Sequence, residues 1–329
     1  MMDMYVVHPM HNLKFIENII VRPNIHLAMV ACGIFIMISG TTLALNNRDE
    51  GPLEFYKRRL VRVLIPFYIA YIIYFIIRVI NSKTIYIFGG VPKWKFIFTV
   101  LGLDEYLFAN GIKTFTLGVG EWFLGCIILC YIAYPLLHFL NKKYRNIFFV
   151  IMTFYYLLIN TKYDMFHFTI PSHLNFFCQV YNFYLGIFLS SYLSENNSEK
   201  KTSELILNVA LLFVVIFIYF YAVIIKIPDN IKTTIFVVSI IFLLKNFEDI
   251  ICKSEILKNG IKFFNSISLE IFLVHHFVIY QIDFMISYKR TSGVETLIII
   301  LLDFAITIIL AIFVNRISCF MKKSHNERK

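Results

Sequence analysis

Long apolar runs recur along this sequence, and they constrain its fold more than any other feature. Nine stretches approach the roughly 20 residues that a helix needs to cross the hydrocarbon core of a bilayer. They fall at 26–45, 60–80, 119–140, 146–161, 175–193, 205–225, 231–246, 267–287 and 295–316. No polar block between them is long enough for a soluble domain. We therefore predict an all-α fold, a polytopic integral membrane helical bundle of about nine transmembrane helices.

Composition supports the membrane class and argues against a nucleic-acid partner. Hydrophobic residues make up 59% of the 329 positions and charged residues 16%, whereas a soluble domain is about one-quarter charged. The net charge of +10 is spread over the ends of the apolar runs and does not form one basic face. The six cysteines lack the spacing of a metal or redox site, so we interpret them as small core residues and predict no bound metal.

Lysine and arginine are unequally divided between alternate connections, which predicts the orientation in the membrane. The richer set comprises Arg48, Lys57, Arg58, Arg59 and Arg62; Lys142, Lys143 and Arg145; Lys200 and Lys201; Lys253, Lys258 and Lys262; and Lys322, Lys323, Arg328 and Lys329. We expect this set to be cytoplasmic in a multi-pass plasma-membrane protein, with one membrane-embedded domain over 1–320 and a cytoplasmic basic tail over 321–329. Residues 1–25 then fall outside, and their apolar start resembles the end of a helix whose beginning is absent.

A basic stretch at 57–68 opens the second apolar run and supports two interpretations. Arg58, Arg59 and Arg62 could anchor the helix at the cytoplasmic surface. Alternatively, Arg59 and Arg62 are three residues apart and are expected on one helix face, where guanidinium groups could hold phosphate in two-pronged contacts.

Ionisable residues inside apolar runs are the other candidates for chemistry, because burying them in a bilayer is costly. His275 and His276 lie together within 267–287 and could relay protons or bind a substrate, or simply form hydrogen bonds between helices. Glu121 and Trp122 open another run, directly after Gly118-Val119-Gly120. Tryptophan is common at membrane interfaces, so this second signal is weak by itself.

Two further features lie outside the main runs. His8 and His11 are three residues apart and would share a helix face, although Pro9 between them disfavours a regular helix. The connection 81–117 is the longest, and we predict that it holds an interfacial or partly inserted helix with Trp94 and Tyr106 at the headgroup level.

Four stretches together resemble the acyltransferase 3 family of integral membrane O-acyltransferases. They are 33–40, ending in Ser-Gly; 55–68, with an Arg-x-x-Arg block followed by Pro and aromatic residues; 122–137, with Trp-Phe-Leu, Tyr and Pro-Leu-Leu; and 268–277, with Ser, Phe-Leu and a histidine. The resemblance implies about ten membrane helices and an enzyme that transfers an acyl group, commonly acetyl from acetyl-CoA, to a sugar hydroxyl. The acceptor would be a cell-surface polysaccharide or a lipid-linked saccharide, and no cofactor would stay bound.

The resemblance also assigns expected roles to residues of this chain. His8, or else His11, falls at the essential histidine that ends the family's first helix, which implies that it is the general base for the sugar hydroxyl. His275 falls at the late motif histidine, which implies a secondary role in orienting substrate or supporting His8. The implied contacts to the acyl-CoA donor are Arg58, Arg59 and Arg62, and those to the acceptor are Glu121, Trp122 and His276. Since the chain begins a few residues before His8, it is expected to lack most of that first helix.

Two alternatives stay open at this level. A transporter or flippase for a glycan intermediate would also be a helical bundle with polar groups in the membrane, but transporters often contain two related halves, which this sequence does not show. An inactive, truncated family member is the other alternative.

Overall fold

The structure is a computed structural model that describes residues 21–22, 25–46, 51–194, 201–221, 227–286 and 293–326. These residues are predominantly helical, which confirms the predicted all-α class. A two-residue antiparallel pairing of β1 (Val21–Arg22) with β2 (Ile25–His26) precedes the helices. The helices are α1 (Leu27–Leu45), α2 (Pro52–Ser82), α3 (Phe96–Val100), α4 (Asp104–Ala109), α5 (Glu121–Thr161), α6 (Phe176–Ser194), α7 (Lys201–Tyr221), α8 (Asp229–Asn246), α9 (Glu248–Lys253), α10 (Glu255–Ile286) and α11 (Gly293–Asn326).

Each of the nine predicted apolar stretches overlaps one of these helices over the residues that the structure describes. Helix α5 contains two of them, because Tyr144 leaves helical geometry (φ −133°, ψ 39°) and divides its 41 residues. Within the described residues, five helices are long and apolar enough to cross a membrane, namely α1, α2, α5, α10 and α11. Helix α6 also has 19 residues, but it carries Gln179 and Asn182, both of which are buried.

The described residues divide into two compact units. The first unit is drawn from Leu53–Ile128 and Asn259–Lys329, and the second from Ile20–Pro52 and Leu129–Lys258. Helix α5 contributes its first turns to the first unit and the rest of its length to the second.

Small residues bring α1 and α6 into close contact in the second unit. A Cβ atom added to Gly40 would lie 2.1 Å from the Phe183 carbonyl oxygen, and one added to Gly186 would lie 2.0 Å from the Met37 carbonyl oxygen. The Thr41 hydroxyl also donates to the Gly186 carbonyl at 3.1 Å. Close backbone approach at small residues is how helices associate in membranes, where apolar surface gives little preference for protein over lipid.

Buried polar side chains connect α5, α6 and α8 in the same unit. The Asn230 amide donates to Asn160 at 2.7 Å, Tyr156 lies 2.7 Å from the Thr234 hydroxyl, and that hydroxyl donates to Asn182 at 2.6 Å. Each group finds a hydrogen-bond partner within the network, which removes the cost of burying it away from water.

In the first unit, α2 and α10 run in the same direction. The Tyr74 hydroxyl donates to the Leu273 carbonyl at 3.0 Å, and the Tyr74 ring stacks on Phe277 with centroids 3.7 Å apart. Farther along both helices, the Asn81 amide donates to Gln281 at 3.2 Å. Because the two contacts follow the same order on each helix, residues near Tyr74 and residues near His275 lie at the same level.

Residues 93–120 fold back along α2 and carry the short helices α3 and α4. The Tyr68 hydroxyl donates to the Val100 carbonyl, although Tyr68 lies 14 residues, or about 21 Å, before the end of α2. This depth agrees with the predicted partly inserted helix. Trp94 is exposed, as expected for a headgroup residue, whereas Tyr106 is buried, because its ring lies against Gly125 of α5.

Candidate functional site

Glu121 begins α5 in a strained conformation that directs its carboxylate at α10. The preceding Gly118 and Gly120 have φ values of +83° and +72°, and Glu121 itself has a φ of +42°. A Cβ atom on Gly120 would lie 2.9 Å from the Leu273 side chain, so a larger residue would displace that side chain, and the positive φ of this position also favours glycine. Left-handed backbone is unfavourable for a residue such as glutamate, and strain of this kind concentrates at functional sites.

The Glu121 carboxylate meets His276 at the start of α5. Glu121 Oε1 lies 3.1 Å from His276 Nδ1, and the two side chains are 21% and 22% exposed. The ring nitrogen is within ion-pair distance but is not aligned for a hydrogen bond, and such contacts often tighten only when substrate binds. Both groups are therefore positioned to act on a molecule that reaches this point.

His275 lies beside His276, with ring centroids 4.2 Å apart. Its Nδ1 atom is 2.8 Å from the Phe272 carbonyl oxygen. Because a carbonyl only accepts hydrogen bonds, Nδ1 must carry the proton, and the lone pair of the neutral ring is then on Nε2. In its neutral form His275 could thus accept a proton at Nε2.

Asp104 and Glu105 of α4 place two more carboxyl groups in the first unit. The Glu105 carboxylate accepts the Gly118 backbone N–H, and the Thr114 hydroxyl donates to the Asp104 carbonyl at 2.8 Å. Burial raises the pKa of Asp104 to about 7, and burial together with the nearby Asp104 charge raises the pKa of Glu105 to about 8. These two side chains therefore favour the neutral form more than exposed carboxyls do.

Trp122 follows Glu121 in the first turn of α5. Its side chain is only 4% exposed and meets the Phe123 ring edge-on at 5.9 Å. Phe123 in turn packs against Phe272 of α10, with centroids 4.6 Å apart. These rings hold the first turn of α5 against the helix that carries both histidines.

The arginines predicted to bind the donor lie at the other end of the first unit and differ in environment. Arg59 is buried at 9% exposure, together with Phe55 and Val63 on the same face of α2, whereas Arg62 is exposed. Arg59 and Arg62 lie three residues apart on α2 and are neighbours on the helix surface, yet they differ in exposure. The expectation that both act from one face stays a prediction. Arg58 is half-buried.

A lysine from α11 joins this basic end. The Lys322 ammonium donates to the Arg62 carbonyl at 3.5 Å and interacts electrostatically with Glu270 and Arg62. Glu270 is buried, and its carboxylate accepts a hydrogen bond of 3.1 Å from Asn315. The start of the predicted basic tail is therefore helical and contacts α2, where a solvated end was expected.

Two clusters thus lie at different levels of the first unit. Twelve residues of α2, or about 18 Å, separate Arg62 from Tyr74, and Arg59 is about 22 Å from Tyr74 along the same axis. Tyr74 contacts Leu273 and Phe277, which flank the histidine pair. The first unit therefore presents a basic end and a histidine–carboxylate site about 20 Å apart.

Three predicted site residues, Glu121, His275 and His276, come together in the structure. His8 and His11 lie outside the described residues, so their assigned role stays a prediction. Asp104 and Glu105 were not predicted as site residues because they lie in a connection without a periodic pattern. Their one signal in the sequence is their position shortly before the Gly-x-Gly-Glu turn. Among the described residues that were searched, no group of three or more His, Cys, Asp or Glu residues could hold a metal ion.

The fold and the site define a multi-pass membrane protein with a histidine–carboxylate centre and a separate basic end. The sequence profile of the acyltransferase domain, Acyl_transf_3, matches residues 2–316. The chain therefore belongs to the acyltransferase 3 family, and transfer of an acyl group is its activity at that level. Comparison with curated proteins and with solved structures gave no match.

Proposed function

We propose that this protein transfers an acetyl group from acetyl-CoA to a sugar hydroxyl of a cell-surface polysaccharide or lipid-linked saccharide. The observation that carries the proposal is the pairing of Glu121 with His276 beside His275, in a chain that belongs to an acyltransferase family. An imidazole with a free lone pair, supported by a carboxylate, suits removal of a hydroxyl proton near neutral pH.

The chemistry proposed for the histidine site is a direct transfer. His275 Nε2 removes the proton from the acceptor hydroxyl while the oxygen attacks the thioester carbonyl carbon. The carbon–sulfur bond then breaks, the acyl group stays on the sugar oxygen, and the coenzyme A thiolate leaves and takes up a proton. Glu121 contacts His276, and the His276 ring in turn packs against His275, so these contacts help to hold the His275 ring in place. His8, or else His11, is proposed as a further base on the resemblance alone.

The donor is proposed to bind through its phosphates at the basic end of the first unit. Arg58, Arg59, Arg62 and Lys322 supply cationic groups there, and guanidinium groups match the geometry of phosphate oxygens. The donor then extends along α2 toward the histidines, a distance of about 18–22 Å. We further propose that the basic end and the C-terminus are cytoplasmic and that the protein resides in the plasma membrane, which follows from the distribution of Lys and Arg.

The test is acyl transfer from radiolabelled acetyl-CoA to endogenous glycan in membranes that contain the protein, with succinyl-CoA as a second donor. We expect label in the polysaccharide or lipid-linked fraction, and we expect His275→Ala to remove it, since loss of a general base costs about 10²–10⁴-fold in rate. Membranes that contain equal amounts of protein but transfer neither group would contradict the proposal. That result would favour a transporter of a glycan intermediate or an inactive family member.

A further inference from the structure

We propose that Glu105 is a positioning residue for this transfer, acting through the Gly118 amide to direct Glu121 at His276. The inference rests on the proposed function and goes beyond it, because neither the sequence nor the family match points to α4. The proposed role of Glu105 is indirect: it holds the turn from which the Glu121 side chain projects.

The turn needs such a support because its backbone is unfavourable without one. Gly118, Gly120 and Glu121 all have positive φ values, and for a glutamate this conformation costs of order 1–3 kcal/mol. It persists only where the surroundings fix it. The close approach of Gly120 to Leu273 fixes one side of the turn, and the Glu105 carboxylate fixes the other through the Gly118 N–H.

Helix α4 can hold the Glu105 carboxylate in place because it is itself fixed. Asp104 is 1% exposed, its carboxylate accepts the Glu105 N–H at 3.0 Å, and its carbonyl accepts the Thr114 hydroxyl. Tyr106, in the same turn of α4, packs against Gly125 of α5. Helix α4 is therefore held by contacts that do not involve Gly118. Loss of the contact between Glu105 and Gly118 is expected to release the turn at Gly118 and to leave α4 in place.

Two substitutions separate this role from a charge effect. Glu105→Gln keeps the side-chain oxygen that accepts the Gly118 N–H but removes the ionisable group, whereas Glu105→Met keeps the length and removes the acceptor. We expect Glu105→Met to lower kcat about 10- to 100-fold, the range for a misplaced catalytic group, with KM for acetyl-CoA unchanged. Glu105→Gln is expected to retain most of the wild-type kcat. Glu248→Met, at an exposed position in the second unit, is the matched control.

A double substitution tests whether Glu105 acts through Glu121. Adding Glu105→Met to Glu121→Gln should lower kcat no further than Glu121→Gln alone, since residues that act as a unit are not additive. Independent, multiplying losses would overturn the inference. So would a Glu105→Gln variant that is as impaired as Glu105→Met, or a Glu105→Met variant with wild-type kcat.

Hydrogen exchange gives a readout that does not depend on activity. The peptide that contains Gly118 should exchange faster in Glu105→Met than in the wild type or in Glu105→Gln, because the amide has lost its closer acceptor and keeps only the 3.4 Å contact to the Thr116 hydroxyl. Unchanged exchange in Glu105→Met would overturn the inference even if no acyl transfer were measured. If exchange responds as expected but the wild-type protein transfers no acyl group, the structural role stands and the proposed function fails.

Discussion

At the scale of one residue, Glu121 adopts an unfavourable backbone conformation that places its carboxylate beside His276. A helix would ordinarily begin with a residue in extended or right-handed backbone, and glutamate at φ +42° is held there by its neighbours. The same conformation carries the carboxylate to His276. The positive φ of Glu121 supports a functional role for this residue more strongly than the presence of a glutamate in the sequence could.

Replacing Glu121 with glycine should separate strain from function. Glycine adopts positive φ without a steric penalty, so Glu121→Gly is expected to unfold at the same temperature as the wild type or higher, while acyl transfer falls at least about tenfold through loss of the partner of His276. Thermal unfolding in detergent and the transfer assay on the same preparation measure both effects. A variant that keeps full activity would contradict the role given to the carboxylate.

The buried carboxyls of α4 should make stability depend on pH. The pKa values of Asp104 and Glu105 are raised to about 7 and about 8 in the folded protein, whereas unfolded carboxyls titrate near pH 4. The folded state therefore holds protons that the unfolded state has released, and stability falls as pH rises from about 4 through 8. Unfolding temperatures at pH 5 and pH 9 should differ more in the wild type than in Asp104→Asn, and parallel curves would contradict this.

At the scale of elements, the contact between α1 and α6 depends on glycine at two positions. A Cβ atom on Gly40 would meet a backbone oxygen at 2.1 Å, and backbone cannot move aside as a flexible side chain can. Gly40→Ala should therefore separate the helices and lower the free energy of unfolding by about 1–3 kcal/mol, the usual cost of overpacking. The measurement is thermal or denaturant unfolding of the purified protein.

Gly260 provides the control for that substitution. It lies within α10, and nothing lies within 4 Å of a Cβ atom added there. Gly260→Ala should leave stability unchanged or raise it, because alanine favours a helix by about 1 kcal/mol over glycine. If Gly40→Ala were as harmless as Gly260→Ala, the close packing of α1 on α6 would be contradicted.

The helices could be predicted from the sequence because span length and hydrophobicity are local properties of the chain. The predicted break between two apolar runs near 140–146 corresponds to the kink at Tyr144. The resemblance placed Glu121 and His276 in one set of acceptor contacts, but helix periodicity alone could not, because their contact depends on how α5 packs against α10 through Gly120 and Leu273. The distances within the site are set by tertiary packing, which the hydrophobic pattern of each single helix does not encode.

The spacing of the arginines did not predict how their environments differ. Arg59 is buried and Arg62 is exposed, although residues three apart are neighbours on the surface of α2. Lys322, far along the chain, contacts the Arg62 carbonyl. The basic end is therefore assembled from both ends of the first unit's sequence.

At the scale of the whole molecule, the two ends of the first unit are proposed to carry different steps of one reaction. In the proposed function the basic end binds the donor, and the histidine–carboxylate site, about 18–22 Å along α2, performs the transfer. A protein built in this way can take its donor from one membrane surface and deliver the acyl group nearer the other. Its kinetic parameters should then respond separately to substitutions at the two places.

The most direct measurement is the dependence of the acyl-transfer rate on acetyl-CoA concentration for the wild type, Arg59→Met and His275→Ala. We expect Arg59→Met to raise KM for acetyl-CoA at least about tenfold with kcat nearly unchanged, because it removes a charge-assisted contact that is formed on binding. His275→Ala should lower kcat by about 10²-fold or more at unchanged KM. If both substitutions changed the same parameter, or if neither changed the rate, the division of labour between the two ends would be contradicted.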